Sequence, residues 1–316
     1  MVAPGTLRVI PLGGLGEIGK NMMVVETAED IVVIDCGLMF PEEEMLGVDL
    51  VVPDVSYLLE HEEKVRGILF THGHEDHIGA IPYILRQINV PLHGTRLTMG
   101  LVNVKLREHR MHRDAEVNVV EPGKRFQLGG IGIEFFRVAH SIPDSCGIIL
   151  YTPVGVMIHT GDFKLDHTPV MGQHTDLNRL SELGNEGVML LCADSTYAEI
   201  EGYTPSERKV AEALDYTMAS APGRVIVGTF ASLISRVQMV IDAAGQHGRR
   251  VFITGRSMVD NTQMALEMGY LQDPRSVITR IEDLDKYDPN EIAIMTTGTQ
   301  GEPTAGLARM ANKDHR

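Results

Sequence analysis

Seven consecutive residues constrain this chain more than any others: Thr71-His72-Gly73-His74-Glu75-Asp76-His77, placed directly after the apolar run 65–70. Their pattern is H-x-H-x-D-H. With 13 histidines among 316 residues, independent placement would produce it somewhere in the chain roughly once in a thousand such sequences. Neutral imidazole nitrogens and a carboxylate oxygen suit a borderline cation such as zinc, and alternate residues of an extended loop project in different directions. One loop can therefore serve two ions, His72 and His74 holding the first and Asp76 and His77 the second. Neither pair fills a four-coordinate shell, so ligands must come from elsewhere. Two later loops, each following a β-rich run, offer them: His140 in Val138-Ala139-His140-Ser141, and Asp162 in His159-Thr160-Gly161-Asp162. His140 would complete the first shell. The two oxygens of Asp162 could bridge both ions, which sit about 3.5 to 4 Å apart in two-metal centres.

The rest of the sequence says what kind of scaffold carries these loops. Short β-rich runs at 7–11, 21–25, 31–35, 65–71, 131–138, 148–151 and 154–159 alternate with turn residues and predict a sizeable sheet system, with helices at 78–87 and 97–109. The cluster Gly13-Gly14-Leu15-Gly16 lacks the spacing of a nucleotide-binding loop and reads as a turn that brings backbone near the site. From residue 204 the rhythm changes: helix 205–219, strand 224–228, helix 232–244, strand 250–253, helix 259–268 and strand 291–295 alternate as in a parallel α/β unit. Thr204-Pro205-Ser206-Glu207 predicts a helix start there, with Thr204 as cap and Glu207 closing a capping box. Two domains are expected, 1–203 and 204–316.

Composition sets the remaining bounds. A hydrophobic content of 43% supports a packed core. No apolar run approaches the roughly 20 residues that span a bilayer, and the N-terminus lacks a signal-peptide pattern, so a soluble, cytoplasmic protein without a membrane partner is expected. Cys36, Cys146 and Cys192 are too few for a disulfide framework and read as buried thiols. The net charge of −15 argues mildly against a nucleic-acid partner. Net charge is not local charge, and Lys105, Arg107, Arg110 and Arg113, with His109 and His112 between them, form the densest basic stretch. A solvated helix face and an RNA-facing surface are both open readings of it.

Asp35 after a strand, then His72-x-His74-x-Asp76-His77, His140 and Asp162 resemble, in order, the first four motifs of the metallo-β-lactamase fold. Gly13-Gly14-Leu15-Gly16-Glu17-Ile18-Gly19-Lys20-Asn21, Leu46-Gly47-Val48-Asp49, Ala193-Asp194-Ser195-Thr196 and Gly228-Thr229-Phe230-Ala231-Ser232 further resemble bacterial ribonuclease J, of the β-CASP branch, over essentially the whole chain. The resemblance implies an α/β (α+β) protein: a metallo-β-lactamase αββα sandwich with an inserted, here incomplete, α/β β-CASP domain.

It implies a metal-dependent ribonuclease with 5′-to-3′ exonuclease and endonuclease action, RNA as partner, two Zn2+ ions with Mn2+ as the alternative, and a homodimer or higher homo-oligomer. It assigns catalytic roles to Asp76, Asp162 and Asp194, the last as the first β-CASP motif. Asp35 becomes the residue that orients a ligand histidine. Ala231, Ser232 and Leu233 would bind an RNA 5′-phosphate, Ser232 opening a helix whose free N–H groups favour an anion. Gly47 and Asp49 would hold a structural Ca2+, with a plain solvated loop as the alternative. Relatives often carry histidines where Leu233 and Ser235 stand. Their later β-CASP motifs and last zinc-ligand histidine are expected beyond Arg316. Two rivals remain on the sequence alone: a small-molecule hydrolase built on the same metal core, and a metal-binding module without turnover.

Overall fold

The structure, a computed structural model, describes residues 2–42, 44–299 and 305–313. Its chain divides into two compact units, the first comprising 1–140, 144–165 and 173–203 and the second 141–143, 166–172 and 204–316.

In the first unit, six strands form one sheet in sequence order: β1 (Arg8–Gly13), β2 (Met22–Glu26), β3 (Ile31–Ile34), β4 (Val65–Phe70), β5 (Leu92–Gly94) and β6 (Val117–Val119). The first three pair antiparallel, and β3 to β6 run parallel. Parallel neighbours need crossovers, and these carry the helices α1 (Ser56–Leu59), α2 (Glu75–Ile78), α3 (Ile81–Ile84) and α4 (Arg96–Glu108). The single helix expected over 78–87 is thus two short ones. Pro82 has no N–H to extend a helix and sits instead in the first turn of α3, where none is needed.

A second sheet, ordered β11-β10-β9-β8-β7, contains β7 (Arg125–Leu128), β8 (Ile131–Arg137), β9 (Cys146–Thr152), β10 (Gly155–His159) and β11 (Leu190–Cys192), with α5 (Leu177–Glu186) between the last two. Side chains alternate across a strand, and in β8 and β9, buried on both faces, the packing partner alternates with them. Ile131, Ile133 and Phe135 of β8 with Cys146, Ile148 and Leu150 of β9 meet Val25, Val32, Ile34 and Leu69 of the first sheet in one apolar core. The opposite faces of β8 and β9 supply Phe136 and Ile149, which pack with Ile158 of β10 and Leu183 of α5. Two sheets face to face with helices outside give the expected αββα sandwich. Cys36 and Cys146 are buried free thiols. Cys192 is only partly buried, because β11 is an edge strand.

The second unit holds a parallel sheet ordered β12-β15-β13-β14, formed by β12 (Val225–Gly228), β13 (Arg250–Ile253), β14 (Ile278–Thr279) and β15 (Ile292–Thr296). Its helices are α6 (Arg208–Ser220), α7 (Ile234–Gln246), α8 (Arg256–Glu267) and α9 (Gly306–Ala311). Thr204 does not cap α6. The helix starts later, at Arg208, with Glu207 in its N-cap position, and a carboxylate remote in sequence, Asp166, accepts the Glu207 N–H at 3.1 Å. That bond supersedes the local capping box. No helix among the described residues is long and apolar enough to cross a membrane.

Candidate metal centre

All the metal-site candidates stand at strand ends of the first unit. Immediately after β4, the Thr71 N–H donates to Asp35 Oδ1 at 2.8 Å, and the Thr71 hydroxyl lies 2.9 Å from Asp35 Oδ2. The motif then runs into α2, with His74 in its N-cap position. Its backbone is fixed by the N–H groups of Asn21, Cys36 and Leu38, which donate to the carbonyls of Asp76, His77 and Glu75 at 2.8 to 3.1 Å. The imidazoles are therefore presented by a segment with little freedom.

His140, just beyond β8, and Asp162, just beyond β10, come to this segment. His74 Nδ1 lies 3.0 Å from His72 Nε2 and 3.2 Å from His140 Nε2. Asp162 Oδ2 is 3.9 Å from His72 Nε2 and 3.8 Å from His140 Nε2, while its other oxygen is 3.4 Å from His77 Nε2. Two donor trios result, His72/His74/His140 and His72/His77/Asp162. Adjacent donors on a tetrahedral zinc ion, each about 2.05 Å from it, are roughly 3.3 Å apart. The observed separations bracket that value, so the residues fit a divalent cation. His72 belongs to both trios, where the sequence had assigned it to one ion.

Electrostatics point the same way. Burial, reinforced by neighbouring imidazoles, holds His72 well below the ordinary histidine value, takes His74 down to about 3, and takes His140 down to about 4 against the pull of Asp162. These rings are neutral near pH 7, as ligands must be. His77 differs: burial would lower it, but the carboxylates of Asp76, Asp35 and Asp162 together raise it well above its usual value. Asp162 is only partly buried, and burial would raise it, but it is held low chiefly by His77. Three carboxylates around one ring are a surplus of negative charge that a bound cation would balance.

Glycine is required at position 161. Its φ is +58°, and an added Cβ would lie 2.8 Å from the Thr71 Cβ, so a side chain there would push the Asp162 loop off the motif. Gly14, with φ +84°, similarly leaves room for the side chain of Asn21. Asn21 is a site residue that sequence reasoning missed. Its Nδ2 lies 3.3 Å from His77 Nε2 and 3.4 Å from Asp76 Oδ2, and nothing in its spacing announces it.

The family follows from the sequence match to this scaffold. The profile of the metallo-β-lactamase superfamily covers residues 15–228. The chain belongs to that superfamily. The ribonuclease J β-CASP domain matches residues 222–316 of this metallo-β-lactamase relative. Ribonuclease J of Thermus thermophilus is 46% identical over 98% of this chain and 55% of its own length. Ribonuclease J2 of Bacillus subtilis (strain 168) is 43% identical over 98% of the chain and 56% of its own length. The chain thus spans about half the length of the curated relatives it matches. Among solved structures, a protein of unknown function from Enterococcus faecalis V583 is similar at a TM-score of 0.64 and 16% identity, over 94% of this chain and 78% of its own, which is a likeness of fold.

The other sequence candidates stand apart from the two trios. Asp76 turns its carboxylate toward His77, 3.6 Å from Nε2. Asp194 follows β11 and spends Oδ1 on the N–H and hydroxyl of Thr196, at 2.9 and 2.7 Å. Ala231, Ser232 and Leu233 lie in the second unit. Ser232 is buried and does not open the helix: α7 begins at Ile234 with Leu233 in the N-cap position and no side-chain cap. The Ser232 carbonyl, rather than its hydroxyl, meets the Ile234 N–H at 2.8 Å, and the Ala231 carbonyl accepts from Asn261 at 3.1 Å. Gly47 and Asp49 sit in an exposed loop, and among the described residues Asp49 joins no group of three metal donors.

Proposed function

We propose that this chain carries the dinuclear metal centre of a ribonuclease, hydrolysing RNA phosphodiesters from the 5′ end and internally, as part of a longer cytoplasmic protein whose β-CASP segment starts near residue 204. The observation that carries this reading is the convergence of His72, His74, His77, His140 and Asp162 into two donor sets that share one histidine and are linked by the two oxygens of one carboxylate. The likeness to proteins named ribonuclease J supplies the substrate class.

The nitrogen-rich donor set favours zinc, with manganese as the alternative. Divalent ions bound here would polarise the scissile phosphate and lower the pKa of an attacking water toward 7. The chain's own residues do the rest. His72, His74 and His140 present unprotonated nitrogens to one position, and Asp162 spans to the other. Asp35 fixes His77 by holding the proton on Nδ1, leaving Nε2 turned toward Asp162. The Asn21 amide, beside Asp76 and His77, sets the wall of the second position. The Ala231-Ser232-Leu233 turn, immediately before α7, is where a 5′-phosphate would be held.

The test is to measure metal content and turnover together on the full-length protein, offering a 5′-monophosphorylated RNA oligomer, a β-lactam and a thioester. Metal-dependent cleavage of RNA alone is the expected result. Turnover of either small molecule in preference to RNA would assign the site to the other branch of the fold, and bound metal with no turnover at all would make the chain a binding module.

A further inference from the structure

The basic stretch at the end of α4 is not part of the metal centre, yet the structure ties it to that centre. Lys105 Nζ grips both carboxylate oxygens of Glu75, at 3.0 and 2.8 Å, and Glu75 lies between His74 and Asp76 in the metal motif. One helical turn on, His109 packs edge-on against Tyr83 at 5.6 Å between ring centroids, and the charges of Lys105 and Arg86 help hold its ring below the ordinary histidine value after burial, the largest cause. Arg86 is near enough for its charge to act on this ring, and Arg107, Arg110 and Arg113 follow at and just beyond the end of α4, all of them exposed. Among the described residues none of these four guanidinium groups forms an ion pair. The acidic groups whose charge acts on His109 are Glu108 and Glu75, the latter already held by Lys105, and the exposed Asp114 follows Arg113 in the chain. Four arginines without an ion-pair partner, three of them within residues 107–113, concentrate positive charge locally in a chain of net charge −15.

One backbone feature sets this patch apart from a solvated helix end. Arg110 has φ +60°, in the left-handed region. The Met111 N–H reaches back to the Leu106 carbonyl at 2.7 Å and the Arg110 N–H to the Arg107 carbonyl at 3.0 Å, so the chain reverses at Arg110 as at a helix C-terminus that ordinarily employs glycine. An arginine there is strained by about 1 kcal/mol relative to glycine. The fold does not require the guanidinium.

We propose that the C-terminal end of α4, with Arg86 beside it, is a docking surface for the phosphodiester backbone of single-stranded RNA, which it leads toward the metal motif through the Lys105–Glu75 pair. Substrate class is taken from the proposed function; the surface itself rests on the unpaired arginines and the strained Arg110. Guanidinium groups contact phosphate irrespective of base, so the surface confers affinity and salt dependence rather than sequence preference.

The experiment measures binding of a fluorescent single-stranded RNA oligomer to the full-length protein, without turnover, over a series of salt concentrations. Removing two phosphate contacts by Arg110→Gly with Arg113→Ala should weaken binding about tenfold and flatten the slope of log K against log salt by about 1.4, at roughly 0.7 per contact on a single strand. Arg110→Gly relieves strain, so the thermal midpoint should hold or rise and misfolding cannot account for the loss. The control, Arg208→Ala with Lys209→Ala, removes the same charge from an exposed stretch of the second unit. Unchanged affinity and slope in the α4 variant, or an equal loss in the control, would overturn the proposal. Because binding is read without turnover, a protein that cleaves no RNA would defeat the proposed function while leaving this result to be judged by itself.

Discussion

His77 Nδ1 lies 2.8 Å from Asp35 Oδ2. A carboxylate can only accept, so that nitrogen carries a proton, and Nε2 is the ring atom turned toward Asp162 and available to a cation once its own proton leaves. Asp35 itself sits at φ +62°, a conformation that asparagine and aspartate tolerate better than most residues. The pairing therefore fixes a ligand's tautomer from a backbone position suited to few side chains.

Asp35→Asn should keep the backbone conformation and the size of the side chain while weakening its hold on His77. The expected result is a 10- to 100-fold loss of metal affinity, the range typical of partners that orient a ligand, with a thermal midpoint close to wild type in the metal-free protein. Isothermal titration with Zn2+ alongside calorimetry separates the two. Asp35→Ala should lose both, since alanine gives up the Thr71 contacts and is strained at positive φ.

His74→Ala removes the nitrogen that lies between His72 and His140. Metal bound at that position should be lost, and metal-dependent RNA cleavage by the full-length protein should disappear, while circular dichroism stays unchanged because His74 contributes nothing to the apolar core. Normal metal stoichiometry in the variant would refute the assignment.

Gly161→Ala joins two penalties, an unfavourable positive φ and a contact with Thr71 that displaces the Asp162 loop. A destabilisation of about 1 to 3 kcal/mol is expected, accompanied by weakened metal binding. Gly123, also at positive φ but with open space around it, supplies the comparison: Gly123→Ala should show the backbone cost without the loss of metal.

Away from the centre, buried Glu134 on β8 receives Arg179 at 2.7 Å and the Tyr151 hydroxyl at 2.7 Å. Burial would raise its pKa, but Arg179, Tyr151 and Arg125 outweigh burial and lower it. A depressed folded-state value means that the stabilisation is fully present above the unfolded pKa of about 4.3 and fades as pH falls through the folded one. Glu134→Gln should cost about 1.5 to 3 kcal/mol at pH 7, the worth of a charge-assisted hydrogen bond. Denaturant midpoints taken down the pH scale should show wild type and variant converging below about pH 4. A constant gap would mean that the carboxylate's charge is immaterial.

The metal centre was legible because its chemistry is written locally: four residues of H-x-H-x-D-H lie within one loop, and His140 and Asp162 each follow a recognisable β run. The sandwich was legible for the same reason, since β-rich runs such as 131–138 and 148–151, bounded by turn residues, are a local pattern. What escaped was set by distant partners. At the start of α6 the Glu207 N–H is met by Asp166, 41 positions away, a partner that no scan for local caps would find. Asn21 joins the site only because β2 lies beside β3 in the folded sheet. The extra strands β5, β6 and β14, two or three residues long, are too short to show any period.

His72, His74 and His77 hang from a strand of one sheet, whereas His140 and Asp162 hang from strands of the other. An ion held by both groups is therefore a cross-link between the two halves of the sandwich, closing a span of 68 positions from His72 to His140 much as a disulfide would. Such a brace couples packing to metal affinity in both directions. Saturating metal at a hundred times its dissociation constant should add about 2.7 kcal/mol to the stability of the fold. A cavity cut into the shared core, as by Phe135→Ala, should in turn be felt as a weaker grip on the ion, although no core residue touches it.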